Sequence, residues 1–270
     1  LMAYFDHTGA LQTMNQYVVI ALAIILGMII SGSLAVTVER IAYKPLRGAP
    51  RLVPLISAIG MSFFLQDAVR LILSLTTGEF NVILPQFGTF DEFLVVAVPG
   101  IVTPLRFQIK SILLVGVTVV MLVGLNYLVN GTKVGKAIRA VAQDRPSASL
   151  MGINVNMIIS VTFLIGGALG GAAGVLFALK ATKLDPFVGF FPGLKAFTAA
   201  VLGGIGNLTG ALLGGLILGL LESFSASYLS TFTNGAFGAE YKDIFAFAIL
   251  ILVLIFRPSG LLGQTVGQKA

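Results

Sequence analysis

Side chains able to make or break bonds are scarce in this chain. Its 270 residues include no cysteine and one histidine, His7, which excludes a thiolate metal site, a cysteine nucleophile and a histidine cluster. No paired carboxylates, metal-ligand group or nucleophile with an adjacent base can be assembled from what remains. The nearest string to a phosphate-cradling G-x-x-x-x-G-K-[ST] loop is Gly131-Thr132-Lys133-Val134-Gly135-Lys136-Ala137. Its spacing is wrong, and it has no hydroxyl residue placed for magnesium. Two polar features stand out instead. Gln66, Asp67 and Arg70 lie inside an apolar run, and a basic stretch extends from Lys133 to Val155.

Composition sets the environment that must hold these features. The chain is 57% hydrophobic and 10% charged, with a mean hydropathy of +0.99, whereas a soluble domain carries about 25% charged residues. So few charges cannot cover a water-facing surface, and the chain is read as an integral membrane protein. The net charge of +6 does not indicate nucleic acid, because the basic residues are scattered between apolar runs, where they orient a membrane protein. The chain begins at Leu1 without a basic segment before the first apolar run, so no signal peptide is read and a longer natural N-terminus is expected.

A helix crossing the ~30 Å hydrocarbon layer needs about 20 apolar residues with every backbone group bonded internally. Tyr17–Val38, Ser111–Thr132 and Val155–Leu179 meet this without a charge. Leu52–Thr76 contains Gln66, Asp67 and Arg70; Ala196–Leu221 is broken by glycines; Ile244–Phe256 is short and is expected to extend backward through Tyr241, with Lys242 and Asp243 snorkelling. Basic residues gather after three runs: Arg40, Lys44, Arg47 and Arg51; Lys133, Lys136, Arg139 and Arg145; Arg257 and Lys269. Only Glu39 and Asp144 accompany them, so these three segments are placed in the cytoplasm.

Parity then requires one of the last three apolar runs to enter and return. Ala196–Leu221 is the best candidate, since Gly203-Gly204-Ile205-Gly206-Asn207 interrupts any continuous helix. The alternative is that the run is one bent helix and that Val155–Leu179 is mis-assigned as a span. The expected fold is an all-α polytopic transmembrane helix bundle, one domain over 1–270, with this glycine-broken segment re-entrant. Gly166, Gly170 and Gly174, and Gly206, Gly210 and Gly214, recur every four residues and form small-residue strips for close helix packing.

Within the basic stretch, Val134, Ile138 and Val141 recur at helical spacing while Lys136 and Arg139 project elsewhere. Asp144 precedes Pro146 as a cap for a second short helix, and Gly152 can end it in the left-handed conformation. The segment 133–155 is therefore a docking surface under the membrane, or an interfacial helix pair on anionic lipid. Gln66 and Asp67 are candidates for a substrate path. Asp67 and Arg70, at i and i+3, can alternatively neutralise each other. Phe197, Thr198 and Asn207 around the break form a second candidate lining, with packing roles equally open.

From Gly135 through Gly152-Ile153-Asn154 the sequence resembles the cytoplasmic loop of ABC-transporter permease subunits of the branched-chain amino acid class. Three further blocks resemble the same family in the same order: Glu39-Arg40-Ile41-Ala42-Tyr43-Lys44-Pro45-Leu46-Arg47, Leu55 to Ser62, and Lys195 to Gly206. The resemblance extends over most of the chain from Glu39 onward. It implies a subunit of the inner membrane without its own ATPase site, with ATP and magnesium held by two cytoplasmic ATPase subunits. It further implies a second homologous permease subunit and a periplasmic substrate-binding protein as partners, beside the lipid bilayer. Lys136, Ile138, Arg139, Asp144, Arg145 and Gly152 would then form the ATPase-coupling surface. Family members carry further hydrophobic helices ahead of the point matching Leu1. The competing functions are an ion-coupled secondary transporter, for which Asp67 is the one intramembrane carboxylate, and a passive facilitator of small solutes.

Overall fold

A computed structural model describes residues 16–50, 52–78, 81–83, 93–96, 105–181, 183–204, 206–235, 238–257 and 259–263. His7, Arg51, Asp91, Glu92, Ile205 and Lys269 lie outside them. The chain divides into two compact units, Leu1–Phe187 and Val188–Ala270. No linker or low-complexity stretch marks that division in the sequence.

The first unit contains α1 (Gln16–Val38), a π-helical turn (Glu39–Tyr43), α2 (Leu52–Thr77), α3 (Ile109–Gly131), α4 (Lys133–Gln143), α5 (Arg145–Leu150) and α6 (Val155–Lys180). Two short antiparallel ribbons accompany them. β1 (Val82–Ile83) pairs with β4 (Lys183–Leu184), and β2 (Phe93–Val96) pairs with β3 (Leu105–Gln108) in the register Phe93 to Gln108. These ribbons lie outside the apolar runs read from the sequence as spans. The second unit contains α7 (Phe190–Gly203), α8 (Leu208–Phe232), a 3₁₀ turn (Ala239–Tyr241) and α9 (Lys242–Phe256). Among the described residues, five helices are long and apolar enough to cross a membrane: α1 with its π turn, the main part of α2, α3, α6 and α8. This is an all-α polytopic membrane protein.

The core of the first unit is the seam between α1 and α6. Ile20 and Ala23 bury against Leu176 and Leu179, with Leu113 and Val117 of α3 packed on the group. The helices approach until backbone meets backbone. A Cβ added at Gly171 would strike the carbonyl of Gly27, and one at Gly167 would lie 2.8 Å from the carbonyl oxygen of Ser31. In a membrane, where lipid tails are as apolar as leucine, such close packing supplies the association energy that water supplies elsewhere. The strip facing α1 is thus Gly167 and Gly171. Gly166, Gly170 and Gly174, one position removed, have open space where a Cβ would stand. Their four-residue spacing is right, but α6 is rotated so that its other glycine row meets α1.

In the second unit the run Ala196–Leu221 is two helices. A Cβ at Gly210 would collide with the carbonyl of Gly203, and one at Gly214 with that of Ala199. The paired positions run in opposite senses, so α7 and α8 form an antiparallel hairpin. Gly204 (φ +108°) and Gly206 (φ +92°) make the turn, in backbone conformations that favour glycine. Gly206 therefore belongs to the turn and not to the helix strip of Gly210 and Gly214. The chain after α9 closes over this hairpin: the Leu261 and Leu262 amides donate to the carbonyls of Leu202 and Gly203 at 2.8 and 3.0 Å.

Gly171→Val is expected to destabilise the purified chain by about 1–3 kcal/mol through overpacking. Gly170→Val should leave the isolated chain's thermal unfolding midpoint unchanged. Equal midpoints for the two variants would contradict the seam.

Candidate functional site

The segment between α3 and α6 is built by caps. The Thr132 hydroxyl oxygen accepts the Gly135 amide at 3.1 Å to start α4. Asp144 accepts the Ser147 amide and the Ser147 hydroxyl to start α5, and Asn154 accepts the Met157 amide at 3.1 Å to start α6. At the end of α5 the Ile153 amide donates to the Ala148 carbonyl at 3.1 Å, with Gly152 at φ +81°. That is a six-residue helix closure that glycine favours. α4 begins directly on the end of α3, because a Cβ at Gly135 would overlap the Val129 and Leu128 carbonyls. Arg139 reinforces this join, donating to the Val129 carbonyl and to Asn130 Oδ1. Of the basic residues expected to face a partner, Lys136, Arg139 and Arg145 are all exposed, and Arg139 is in addition tied back onto its own chain by these bonds. Ile138 is half-buried. The tip of the segment is apolar: Leu150 and Met151 are 88% and 82% exposed.

Beneath this knuckle lies a charge that the sequence reading did not single out. Glu39, at the start of the π turn, is fully buried. One carboxylate oxygen forms a salt bridge with Arg47, and the other accepts the Ser160 hydroxyl of α6 at 2.7 Å. The same Arg47 guanidinium donates to Asn156, also in α6. The wider π turn, closed by the Lys44 amide donating to the Glu39 carbonyl at 2.8 Å, sets Tyr43 beside Phe163 of α6, ring centroids 5.2 Å apart. A buried carboxylate needs both a countercharge and hydrogen bonds, and Glu39 has the first from Arg47 of its own basic segment and the second from Ser160 of α6. The detectable signal was a lone acid among bases at the end of an apolar helix.

Two basic segments far apart in sequence therefore share one end of the first unit. A cleft of about 520 Å³ between them is lined by Tyr43, Arg47, Pro54, Arg145 and Phe163.

The other predicted residues are placed separately. Gln66 donates to Ser62 Oγ at 3.2 Å within α2, while its side-chain oxygen is buried without a partner among the described residues. Asp67 is exposed on the same helix and forms no ion pair among the described residues. In the second unit Phe197 is exposed and Thr198 is buried, its hydroxyl donating to the Lys195 carbonyl at 2.8 Å. Asn207 caps α8 by accepting the Gly210 amide, and it donates to the Leu262 carbonyl, each at 3.0 Å. Its amide is thus committed at both ends to holding the break. Asp243 does not snorkel alone: Lys195 of α7 reaches it at 2.7 Å and Glu222 of α8 at 2.9 Å. This three-residue ion cluster ties all three helices of the unit together.

The family model for the permease component of branched-chain amino acid transport systems matches residues 3–254. The chain belongs to that family. It is 42% identical over 242 residues to the high-affinity branched-chain amino acid transport system permease protein BraD of Pseudomonas aeruginosa, covering 90% of this chain and 74% of that protein. It is 41% identical over 253 residues to the permease protein LivH of the corresponding system of Escherichia coli K12, covering 94% and 77%. The Salmonella typhimurium LivH is similar to the same degree over 255 residues. No solved structure matches the chain.

Glu39→Ala should destabilise the protein by about 3 kcal/mol, because it leaves Arg47 partly buried without its countercharge. Replacing Lys195 with Met should also lower the unfolding midpoint, since Glu222 and Asp243 would then repel at short range, and adding Asp243→Asn should restore part of the loss. Thermal unfolding in detergent reads both.

Proposed function

We propose that this chain is the membrane-spanning permease subunit of an ATP-driven importer of branched-chain or related amino acids in the inner membrane. It pairs with a second homologous permease, receives substrate from a periplasmic binding protein, and is driven by two cytoplasmic ATPase subunits that hold the ATP and magnesium. The observation that carries this reading is the capped knuckle over 133–155, with apolar Leu150 and Met151 at its tip and exposed Lys136 and Arg145 beside it. An apolar tip with a charged rim is the composition of a protein contact, where a few buried anchors dominate the energy. The knuckle's basic residues support a cytoplasmic position for it, the side on which ATP is found.

The knuckle is suited to passing force inward. It is capped at each junction, fixed to α3 by Arg139, and continuous with α6, which packs on α1 through the glycine seam. Displacement of the knuckle by a partner would therefore move α1 and α6 together. In the second unit, α7 has 14 residues and rises ~21 Å, short of a ~30 Å crossing. With α8 returning antiparallel to it, the hairpin is read as re-entrant. The aromatic ladder Phe224, Tyr228 and Phe232 near the far end of α8 then lies at the outer interface.

Leu150→Asp combined with Met151→Asp should release the ATPase from the assembled transporter and lower leucine uptake about tenfold, the effect of losing one contact anchor. Lys136→Glu should act in the same direction more weakly. Full uptake and retained ATPase in all of these variants would overturn the coupling assignment.

A further inference from the structure

We propose that a second cleft between α1 and α6, at their basic ends, binds the phosphate headgroup of an anionic phospholipid. Arg40 and Lys44 are its cationic ligands, and the wall above them seats an acyl chain. The cleft has a volume of about 480 Å³. Its rim carries Arg40, Lys44 and Arg47 together with Asn154 and Asn156, and no acidic side chain lines it. Deeper along the two helices the lining changes to Val36, Val161 and Leu164. Leu164 is eight residues beyond Asn156 on α6, which is ~12 Å of rise toward the middle of the span.

The charge balance within the cleft is not closed by the protein. Arg47 is taken by Glu39 and Asn156, and the second oxygen of Glu39 by Ser160. That network neutralises itself. Arg40 and Lys44, one helical turn apart on the exposed face, have no ion-pair partner among the described residues. Two uncompensated cations at a helix end facing lipid attract a phosphate, and basic pockets between spanning helices are where anionic headgroups lodge.

The grading from cationic rim to apolar wall selects among anions. Free phosphate would use the rim and leave the wall in contact with water or lipid. An acidic segment of a partner protein would likewise satisfy only the rim. A phosphodiester joined to acyl chains satisfies both at once, and the apolar part lies within the spans of α1 and α6, where Leu164 is exposed and Val36 and Val161 are half-buried. The lipid would rest against Asn154 and Asn156 where α6 leaves the knuckle, so its binding would brace the base of the coupling segment.

The test uses the complete transporter, delipidated in detergent and titrated with phosphatidylglycerol or with phosphatidylcholine of the same chains, bound lipid being counted by native mass spectrometry. Phosphatidylglycerol should bind preferentially, and Arg40→Gln with Lys44→Gln should weaken it roughly 30-fold. Lys180→Gln, at the opposite end of α6 from the cleft, should not. The double variant should keep the lipid-free unfolding midpoint of the parent, since neither side chain has an ion-pair partner among the described residues. Equal binding of the two lipids, binding unaffected by the double variant, or displacement by millimolar inorganic phosphate would overturn the proposal. So would a photocrosslinker at position 44 that captures a partner polypeptide in native membranes and no lipid.

Discussion

The carboxylate of Glu39 is the constraint around which the basic end of this permease is arranged. A fully buried acid at the end of an apolar span is tolerable only when its charge is balanced and both oxygens are bonded. Arg47 and Ser160 meet those demands. Meeting them obliges the chain after α1 to fold back over the start of α6. The π turn follows from the same requirement, since the additional residue in the turn sets Glu39 and Tyr43 against α6 together. A side chain that would be costly alone thus specifies one register between two helices distant in sequence.

The glycine seam does the complementary work at depth. Small residues let α1 and α6 touch along their backbones, which gives contact area without polar groups but little directional information. The ion network at one end supplies the direction. Together they make α1, the π turn and α6 a single body, and the knuckle over 133–155 enters that body through the Asn154 cap. In the second unit the same division of labour recurs. Gly203, Gly210 and Gly214 permit the α7–α8 approach, and Lys195 with Glu222 and Asp243 fixes the arrangement with α9.

Much of this was legible in the sequence because apolar runs, helix caps and chain-breaking glycines act locally. Spans, the two short helices, the Asp144 cap, the left-handed Gly152 and the break after Gly203 all follow from residues within a turn or two of one another. Which glycine row of α6 meets α1 was not legible. Gly166, Gly170 and Gly174 have the same spacing as Gly167 and Gly171, and only the rotation of the helix against its partner decides between them. The partners of Glu39 and Lys195 were likewise hidden, because each is reached across a fold-back that periodicity does not encode. Arg139 looked like a free basic residue, since nothing local reveals that its own helix begins against the carbonyl end of α3.

The central claim is that the π-turn region and the knuckle form one rigid body, and its most direct test is a distance between them during the transport cycle. The chain has no cysteine, so spin labels at Ile41→Cys and Ser149→Cys are its only labelled positions when it is labelled before assembly. Measured by pulsed dipolar spectroscopy on the assembled transporter, the account predicts one narrow distance that is the same without nucleotide and with ATP bound. A change of about 5 Å, the size of a one-turn slip between packed elements, or a second distance population appearing with ATP, would contradict it.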